Sequence, residues 1–395
     1  MSRLLSLIFK KPFSIFKLVY YYWLFLYYAI TNKKTVVYNL HHDYFFDIFY
    51  PIGKELEKDK RIKLYYSYRY QNHKLKQYLL KKCAPKQIIS NLYSPFIPFN
   101  LFICAEITGP DFPLKNMKTK AIEIYHGTGI YNLYENKDIL NRFDIHFAIG
   151  PQYLPFIKEA YKDIKKKPKV YKIGYPKLDS LLNSRKQSAV LKNHYGLNNG
   201  KNTVLYAPHW NEFSSLHVFG IDLLKKLAKF EVNILVKPHN YIFIKYSSYE
   251  WKEKFKALST EYENLKFVEQ PNTQKLYPLA DVMITDTGTT NGLEFSLMQK
   301  PLFIYCQNQW FQKYKNAQVE KDICNTAICF STLNEITTII QKFLDNDVQL
   351  KLHIEKQKKQ QTKLINKYLY NYGKATSAAL IAIKRELNLL SQKDN

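Results

Sequence analysis

The feature that most constrains the fold of this chain is a regular succession of short apolar segments, separated by longer segments with apolar residues at helical spacing. The short segments do not alternate strictly between apolar and polar residues, a pattern typical of strands that helices cover on both faces. The sequence therefore predicts an α/β protein in which each half is an open, mostly parallel, Rossmann-like sheet. The predicted strands are residues 35–39, 63–67, 87–90, 101–105, 121–125, 145–149 and 169–173, and then 203–207, 232–236, 265–268, 281–285, 301–305 and 327–330.

The length of the chain supports a division into two domains with a cleft between them. A chain of 395 residues is long for one hydrophobic core, because domains typically contain about 100–200 residues. The polar stretch 183–201 is the predicted boundary region. We therefore expect an N-terminal domain at 35–190 and a C-terminal domain at 191–375. Residues 1–34 form a separate terminal segment, and residues 376–395 are expected to form a C-terminal helix.

The excess of positive charge indicates an anionic partner but does not identify which kind. The chain has 59 Lys and Arg against 33 Asp and Glu, a formal net charge of +26, and 46% of its residues are hydrophobic. The positive charge excludes an acidic disordered chain, and the apolar residues suffice for a large core, which excludes a disordered polymer of low hydrophobicity. A positive charge of this size suits nucleic acid, an anionic membrane face or a polyanionic substrate, and net charge alone does not distinguish them.

The cysteines are expected to be reduced. They form no Cys-x-x-Cys pair, and no signal-peptide cleavage site follows the first apolar segment. We therefore expect free thiols in a cytosolic protein and no disulfide framework. The five residues are Cys83, Cys104, Cys306, Cys324 and Cys329.

The terminal segment 1–34 places basic residues around apolar and aromatic runs. Its uninterrupted apolar stretch, residues 18–30, has 13 residues, whereas a membrane-spanning helix needs about 20. Its Tyr and Trp residues favour the headgroup region of a bilayer. We therefore expect peripheral binding to an anionic membrane surface, on the cytoplasmic face. A buried first helix of the fold and a true membrane span remain the alternatives.

Ligands bind beyond the carboxyl ends of the strands in open α/β sheets, so the loops after the predicted strands are the candidate sites. The first loop has His126 followed by Gly127 and Thr128. An imidazole beside small residues leaves room for a substrate hydroxyl, and its ordinary pKa of about 6.5 suits a general base at neutral pH. The alternative is a histidine that only caps the end of a strand.

Two further loops turn at a proline. His209 follows Pro208 at the end of one predicted strand, and Lys237 and His239 flank Pro238 at the end of another. A cation and an imidazole held side by side can neutralise a phosphate. The alternatives are ordinary turn chemistry at the first loop and a solvated turn at the second.

The fourth loop combines a strand end, a turn rich in Gly and hydroxyl residues, and a helix start. In this layout backbone N–H groups and hydroxyls receive a phosphate. The loop lacks the ending of a Walker A motif and is not a dinucleotide-binding G-x-G-x-x-G. Its carboxylates either accept ribose hydroxyls or hold the loop, and Glu294 alternatively only favours the helix dipole. The candidate residues are Asp286, Thr287, Gly288, Thr289, Thr290 and Glu294. A fifth loop, residues 172–179, is expected to be architectural.

Taken in order, these motifs resemble the CDP-glycerol glycerophosphotransferase family, which includes teichoic-acid primases and polymerases and related capsule enzymes. The shared elements are His-Gly-Thr, Gly-Tyr-Pro-x-x-Asp, Tyr-Ala-Pro-x-Trp, Lys-x-His, and a Thr/Ser-Asp-x-Ser-Ser…Glu loop before Lys-Pro, and they cover about residues 120–310. The chain departs from the family pattern at Gly129, at Asn211 and at Thr287–Gly288. The resemblance implies a GT-B architecture of two Rossmann-like domains that face each other across a cleft.

The resemblance also implies roles for single residues. His126 would be the base that activates the acceptor hydroxyl, and His239, with Lys237 nearby, would contact the diphosphate of the donor. Thr289 and Thr290 would bind phosphate oxygens. These roles require that the imidazoles of His126 and His239 face one another across the cleft.

The function implied is a membrane-associated transfer of glycerol phosphate, or a related polyol phosphate, from a CDP-linked donor to a hydroxyl of a cell-surface polymer or lipid-linked acceptor. CMP is released, and no cofactor, metal or nucleic acid is required. One alternative is a GT-B glycosyltransferase that uses a nucleotide sugar for capsule or lipopolysaccharide synthesis. Another is a non-catalytic protein that binds anionic lipid or nucleic acid.

Overall fold

The computed structural model describes residues 13–105, 112–113, 118–129, 137–184, 192–269, 272–315 and 317–390. The chain forms two compact units. Unit 1 comprises residues 1–126, 133–177 and 370–395, and unit 2 comprises residues 127–132 and 178–369. Each unit contains one parallel sheet with helices packed on it.

The strands, in chain order, are β1 (Lys34–Leu40), β2 (Ile62–Tyr68), β3 (Ile88–Ser90), β4 (Leu101–Cys104), β5 (Lys120–Glu123), β6 (Ile145–Ala148), β7 (Lys169–Lys172), β8 (Asn202–Ala207), β9 (Val232–Val236), β10 (Leu265–Phe267), β11 (Val282–Asp286), β12 (Leu302–Tyr305) and β13 (Ile328–Phe330). Every predicted strand is present, with its ends displaced by at most two residues. The predictions were accurate because nearly all of these strands are buried, so apolar runs mark them directly.

The α-helices are α1 (Phe13–Ile30), α2 (Phe46–Glu57), α3 (His73–Leu80), α4 (Lys137–Leu140), α5 (Tyr153–Ala160), α6 (Asp179–Ser184), α7 (Ser215–Phe219), α8 (Asp222–Leu227), α9 (Ile242–Lys245), α10 (Trp251–Glu261), α11 (Asn291–Ser296), α12 (Asn308–Lys313), α13 (Gln318–Thr326), α14 (Leu333–Leu344), α15 (Val348–Tyr368) and α16 (Ala375–Glu386). Short 3-10 turns occupy Asp43–Phe45, Pro85–Gln87, Ser94–Phe96, Pro176–Leu178, Ser247–Tyr249 and Thr273–Leu276.

The sheet of unit 1 has seven strands in the order β3-β2-β1-β4-β5-β6-β7, and the sheet of unit 2 has six in the order β10-β9-β8-β11-β12-β13. All pairings are parallel. In both units the first strand lies in the interior and the order reverses there, as in Rossmann folds. The carboxyl ends of β1 and β4, and those of β8 and β11, therefore mark the expected ligand-binding edges of the two sheets.

The C-terminal helix α16 belongs to unit 1 and is fixed to the sheet through one buried carboxylate. Glu386 accepts hydrogen bonds from Lys120 Nζ at 2.8 Å, from Lys169 Nζ at 2.8 Å and from the Tyr171 hydroxyl at 2.6 Å. Burial acts to raise the pKa of Glu386, but these hydrogen bonds outweigh it and lower the pKa to about 2. The chain thus returns to its first sheet after completing the second.

The prediction that all cysteines are reduced is wrong for one pair. Cys306 and Cys329 form a disulfide, with 5.8 Å between their Cα atoms. Cys306 directly follows β12 and Cys329 lies in the neighbouring strand β13, so the parallel pairing of two strands brings together residues 23 positions apart. Spacing along the sequence carries no sign of that pairing. Cys83, Cys104 and Cys324 are not part of a disulfide.

Helix α1 packs one side on unit 1 and exposes the other. Phe25 is buried, with its ring 5.5 Å from that of Tyr65 and 4.8 Å from that of Phe99. The exposed apolar side chains of the helix are Ile15, Phe16, Val19, Tyr20, Tyr22, Trp23, Leu26, Tyr27 and Ile30. None of the helices that the structure describes is long and apolar enough to span a membrane. Residues 1–12 of the predicted membrane-binding segment lie outside the described residues.

Candidate functional site

His126 lies just beyond the end of β5 in unit 1, and its surroundings fix where its proton sits. Its Nδ1 is 2.9 Å from the carbonyl oxygen of Ala105, which follows β4. A carbonyl oxygen only accepts hydrogen bonds, so Nδ1 carries the hydrogen. The neutral imidazole therefore has its lone pair on Nε2, the atom that can take a proton from a hydroxyl group.

The backbone around His126 is held from several directions. Tyr125 adopts a left-handed conformation with φ of 53°, which is strained for an aromatic residue. Its N–H donates to Glu123 Oε1 at 3.1 Å, and its hydroxyl lies 2.7 Å from Nδ1 of the buried His146. The Tyr175 hydroxyl donates to the carbonyl oxygen of His126 at 2.8 Å. These contacts orient the imidazole by constraining the chain on both sides of it.

The buried His146 is neutral, and it is part of the hydrogen-bond network that holds Tyr125 next to His126. Burial lowers its pKa to about 3. The Tyr161 hydroxyl donates to the carbonyl of Phe143 at 2.6 Å and lies 2.9 Å from His146 Nε2. Nε2 therefore donates to Tyr161, and Nδ1 accepts from the Tyr125 hydroxyl. No expectation from the sequence included this network, although a histidine inside an apolar predicted strand was a visible anomaly.

Gly127 and Thr128 fall within unit 2. Thr128 is buried. A Cβ atom added to Gly127 would lie 3.0 Å from Cγ2 of Thr290, which is closer than an ordinary van der Waals contact. Glycine therefore allows the backbone at position 127 to pass close to the loop that precedes α11.

Asp286, the last residue of β11, holds two loop segments of unit 2 together. Its side chain is 2% exposed. Its Oδ2 accepts from the His209 N–H at 2.6 Å, and its Oδ1 accepts from the Ser215 N–H at 2.9 Å. Burial raises the pKa of Asp286 to about 6, although the hydrogen bonds oppose this shift. Of the two roles that the sequence left open for Asp286, these contacts favour holding the loop.

His209 and His239 carry their protons on the opposite nitrogen from His126. The Asn211 N–H donates to Nδ1 of His209 at 3.0 Å, and the Tyr241 N–H donates to Nδ1 of His239 at 3.2 Å. Because a backbone N–H only donates, the neutral form of each ring has its hydrogen on Nε2. Burial, and next the neighbouring His239, lower the pKa of His209 to about 3. The two rings lie 6.4 Å apart and stack, and His239 is exposed.

Lys237 is buried beneath the turn that carries His239. Its side chain is 3% exposed, and its Nζ donates to the carbonyl of Pro238 at 2.8 Å and to Asn240 Oδ1 at 3.2 Å. The His239 N–H in turn donates to the carbonyl of Pro208 at 3.3 Å. The loops after β8 and β9 thus form one connected structure.

The loop after β11 is anchored at both ends. The N–H and the hydroxyl of Thr287 each donate to the carbonyl of Tyr305, at 3.1 Å. The hydroxyls of Thr289 and Thr285 are 3.1 Å apart. Gly288 has φ of 91°, and a Cβ there would lie 2.6 Å from ring atoms of Trp310. Only glycine combines this conformation with this close approach.

Glu294 is inside the unit rather than at its surface. It is 1% exposed, and its Oε2 accepts from Gln274 Nε2 and from the Tyr277 hydroxyl. Helix α11, which contains Glu294, begins directly after Thr290. These contacts favour a role in holding the helix over one in contacting ribose.

The structure thus brings most of the predicted donor-binding residues together at one edge of unit 2. His209, His239 and Asp286 lie at the carboxyl ends of β8, β9 and β11, which are neighbours in the order β9-β8-β11. Lys237 lies beneath this edge and Glu294 is packed inside the unit. His126 occupies the corresponding edge of unit 1.

The chain matches known proteins over most of its length. Residues 26–366 match the family described as CDP-Glycerol:Poly(glycerophosphate) glycerophosphotransferase. A curated relative, the teichoic acid poly(glycerol phosphate) polymerase of Bacillus spizizenii, is 25% identical over 228 residues, which are 50% of this chain and 55% of the relative. The chain therefore matches only about half the length of that polymerase.

Solved structures show the same fold. The wall teichoic acid polymerase TagF superposes with a TM-score of 0.62 at 15% identity, covering 91% of this chain and 92% of TagF. A TagF variant soaked with CDPG gives a TM-score of 0.66 at 16% identity, with 98% and 96% covered. The S. aureus MnaA–UDP co-structure gives 0.57 at 13% identity, with 90% and 98% covered.

At these identities the likeness to solved structures supports the fold alone, and the predicted GT-B class, with two parallel-sheet α/β domains, is confirmed. The match over residues 26–366 supports the family. The family suggested by the order of the motifs is therefore also confirmed, and the chain belongs to the CDP-glycerol:poly(glycerophosphate) glycerophosphotransferase family.

Proposed function

We propose that this protein transfers glycerol phosphate, or a related polyol phosphate, from a CDP-linked donor to a hydroxyl of a cell-surface polymer or lipid-linked acceptor and releases CMP. The observation that carries the proposal is the set of backbone partners of its imidazoles, which determines where each neutral ring holds its proton. His126 has its lone pair on Nε2, as a base requires, whereas His209 and His239 have a donor hydrogen there, as a phosphate ligand requires.

In the proposed reaction the acceptor oxygen attacks the phosphorus that bears glycerol. A new phosphorus–oxygen bond forms, the bond from that phosphorus to the oxygen bridging it to CMP breaks, and CMP leaves. Nε2 of His126 takes the proton of the acceptor hydroxyl. Nε2–H of His239 donates to the phosphate oxygens, where negative charge is concentrated. Positioning and charge neutralisation supply most of the acceleration in transfers of this kind.

The loops of unit 2 are suited to a rigid donor site. Asp286 fixes the backbone of His209, Lys237 fixes the turn before His239, and Thr287 fixes the start of the loop at residues 287–290. A site held in this way needs little reorganisation when the donor's diphosphate arrives, which is the condition for electrostatic stabilisation. We assign the phosphate contacts to His209, His239 and the loop at residues 287–290.

We further propose that the protein works on the cytoplasmic face of the membrane as a peripheral protein. The exposed aromatic and apolar side of α1 and the net charge of +26 support this location. Amphipathic aromatic side chains favour the headgroup region, and basic residues favour anionic lipid. The partners of the protein are then the CDP-linked donor, the polyanionic or lipid-linked acceptor, and the anionic membrane surface.

The experiment that tests the transfer uses the purified full chain, a panel of CDP- and UDP-linked donors, and a glycerol phosphate oligomer as acceptor. We expect release of CMP, with the donor's phosphate retained in the lengthened acceptor, as measured by mass spectrometry. Release of UDP, or release of CMP without transfer of phosphate, would instead support the nucleotide-sugar glycosyltransferase. No turnover of any donor, with anionic lipid still bound, would support the non-catalytic alternative.

A further inference from the structure

Three cysteine sulfurs from three separate segments of unit 2 meet at one point. Cys306 follows β12, Cys329 lies in β13, and Cys324 lies in the last turn of α13. Their Sγ atoms are all within 4.8 Å of one another. Within the ranges that the structure describes, no other three His, Cys, Asp or Glu donors form such a group.

The position of these sulfurs is set by the backbone of the fold. The N–H of Cys306 donates to the carbonyl of Phe330 at 3.1 Å, and Cys329 pairs in register with Ile304. The Sγ of Cys329 lies 3.4 Å from the carbonyl oxygen of Cys324. Sheet pairing and the packed end of a helix therefore assemble the group without help from a ligand.

Three thiolates form a soft donor set that favours Zn²⁺ over hard cations such as Mg²⁺. Zinc–sulfur bonds of about 2.3 Å in a tetrahedral arrangement place the sulfurs about 3.8 Å apart. The sulfur of Cys324, at separations of up to 4.8 Å, needs only a small closing movement. The sulfurs of Cys306 and Cys329 are bonded to each other and must move apart after reduction. Cys329 is exposed, which gives an ion a path to the site.

We propose that Cys306, Cys324 and Cys329, once reduced, bind one Zn²⁺ ion as three thiolates. In the structure Cys306 and Cys329 are joined, so a reductant must first act. A phosphine, for example, takes one oxygen from water and is oxidised to its oxide while the disulfide becomes two thiols. Binding of Zn²⁺ then displaces three thiol protons, and water or an external ligand completes the coordination.

The ion would brace the loop at residues 287–290. The hydroxyl of Thr287 lies 3.5 Å from the sulfur of Cys324. The same hydroxyl and the N–H of Thr287 both donate to the carbonyl of Tyr305, the residue before Cys306. The site is structural and takes no part in bond making, so its existence does not depend on the proposed transfer reaction.

The test uses the full chain, freed of metal and reduced with a phosphine without oxygen, and titrated with Zn²⁺ against a chromophoric chelator. We expect about one ion per chain for the wild type and for Cys83→Ser, the matched control, because Cys83 lies in unit 1. Cys324→Ser should lower the affinity at least tenfold. Titration with Co²⁺ should give intense thiolate-to-metal charge-transfer absorption that Cys324→Ser loses.

A second measurement needs no variant and so is independent of whether Cys324→Ser folds. Zn²⁺ should protect Cys306, Cys324 and Cys329 of the reduced wild type from alkylation, while the labelling of Cys83 stays unchanged, as counted by peptide mass spectrometry. Equal labelling of the three cysteines with and without Zn²⁺ would overturn the proposal. So would a Zn²⁺ affinity of the wild type no higher than that of a correctly folded Cys324→Ser.

Discussion

At the scale of single residues, the backbone partner of an imidazole decides what the ring can do. A carbonyl beside Nδ1 of His126 leaves a lone pair on Nε2, whereas N–H groups beside Nδ1 of His209 and His239 leave a hydrogen there. A sequence shows that three histidines follow three strands, but it does not show which backbone atoms face their rings. The role of each ring therefore follows from the folded structure and not from the sequence.

Replacing the proposed base should stop transfer without preventing donor binding. In His126→Ala the acceptor hydroxyl loses its proton acceptor, and we expect the rate of CMP release to fall about 10²–10⁴-fold. The dissociation constant of the donor should change less than threefold, because the proposed donor contacts lie in unit 2. Initial rates and equilibrium titration with the donor measure the two quantities.

The matched control for this prediction is His194→Ala, which removes an exposed histidine of unit 2. It should keep its rate within twofold of the wild type. Near-normal turnover by His126→Ala would contradict the base assignment. Equal loss of donor binding and of rate would instead indicate that His126 contacts the donor.

Replacing Gly288 should affect both the stability of the protein and the loop that contains this residue. In Gly288→Ala the alanine would have to adopt a left-handed backbone conformation, with φ of 91°, and its Cβ would lie 2.6 Å from ring atoms of Trp310. We expect a loss of about 2 kcal/mol or more in the free energy of unfolding, together with weaker donor binding. Urea unfolding and donor titration measure these effects.

A second glycine provides a control that separates the cost of the backbone conformation from the cost of the steric clash with Trp310. Gly220 also has positive φ, 58°, but a Cβ there meets nothing within 4 Å. Gly220→Ala should therefore cost only the conformational part and leave donor binding unchanged. If the two variants lose the same free energy of unfolding, the contact with Trp310 is not what requires glycine at position 288.

At the scale of elements, the positions of the strands along the sequence were predictable, but the residues that lie side by side in neighbouring strands of the sheet were not. Most strands of the two sheets appear in the sequence as apolar runs, because burial on both faces demands them, and the exposed strand β7 is an exception. Register, however, places Asn39, Cys104, Glu123 and His146 in one fully buried row across β1, β4, β5 and β6. No pattern along the chain indicates such a row, since its members come from four segments. The disulfide between Cys306 and Cys329 was missed for the same reason.

Helix α1 is the element on which membrane binding is expected to depend. Tyr20 and Trp23 are 60% and 63% exposed, so replacing both with Ser removes apolar contact with the bilayer without disturbing the core. We expect partition to vesicles of phosphatidylglycerol and phosphatidylcholine to fall about tenfold, equivalent to about 1.4 kcal/mol. Cosedimentation of the full chain with vesicles measures this change.

A matched control uses exposed apolar residues on another helix. Val348 and Leu352 of α15 are 68% and 60% exposed, and replacing both with Ser should leave vesicle binding unchanged. Equal losses in the two double variants would indicate binding through general hydrophobicity. Unchanged binding of Tyr20→Ser/Trp23→Ser would remove α1 as the anchor.

At the scale of the whole molecule, the sequence was sufficient for the fold class because each unit repeats one rule, an apolar strand followed by a helix. The order of short motifs was sufficient for the family. Neither the strand pattern nor the order of motifs shows which residues support the site. The residues that hold His126 and His209 in place are distant from them in sequence. Tyr175 contacts His126 from 49 positions away, and Asp286 contacts His209 from 77. Both contacts exist only because parallel strands end at one edge of a sheet.

His146, which is fully buried in unit 1, should make the stability of that unit depend on pH. The pKa of His146 is lowered from 6.5 to about 3 in the folded chain, so between these values the unfolded chain binds a proton that the folded chain does not. The contribution of His146 is therefore present above pH 6.5 and is lost as the pH falls. Between pH 7 and pH 5 the loss should be about 2 kcal/mol. His146→Gln should lack it, whereas His353→Gln, at an exposed position of α15, should retain it. Urea unfolding, followed by hydrogen exchange in peptides of β5 and β6, measures this difference. If the difference in free energy of unfolding between the wild type and His146→Gln stays constant from pH 7 to pH 5, His146 is not buried in its neutral form.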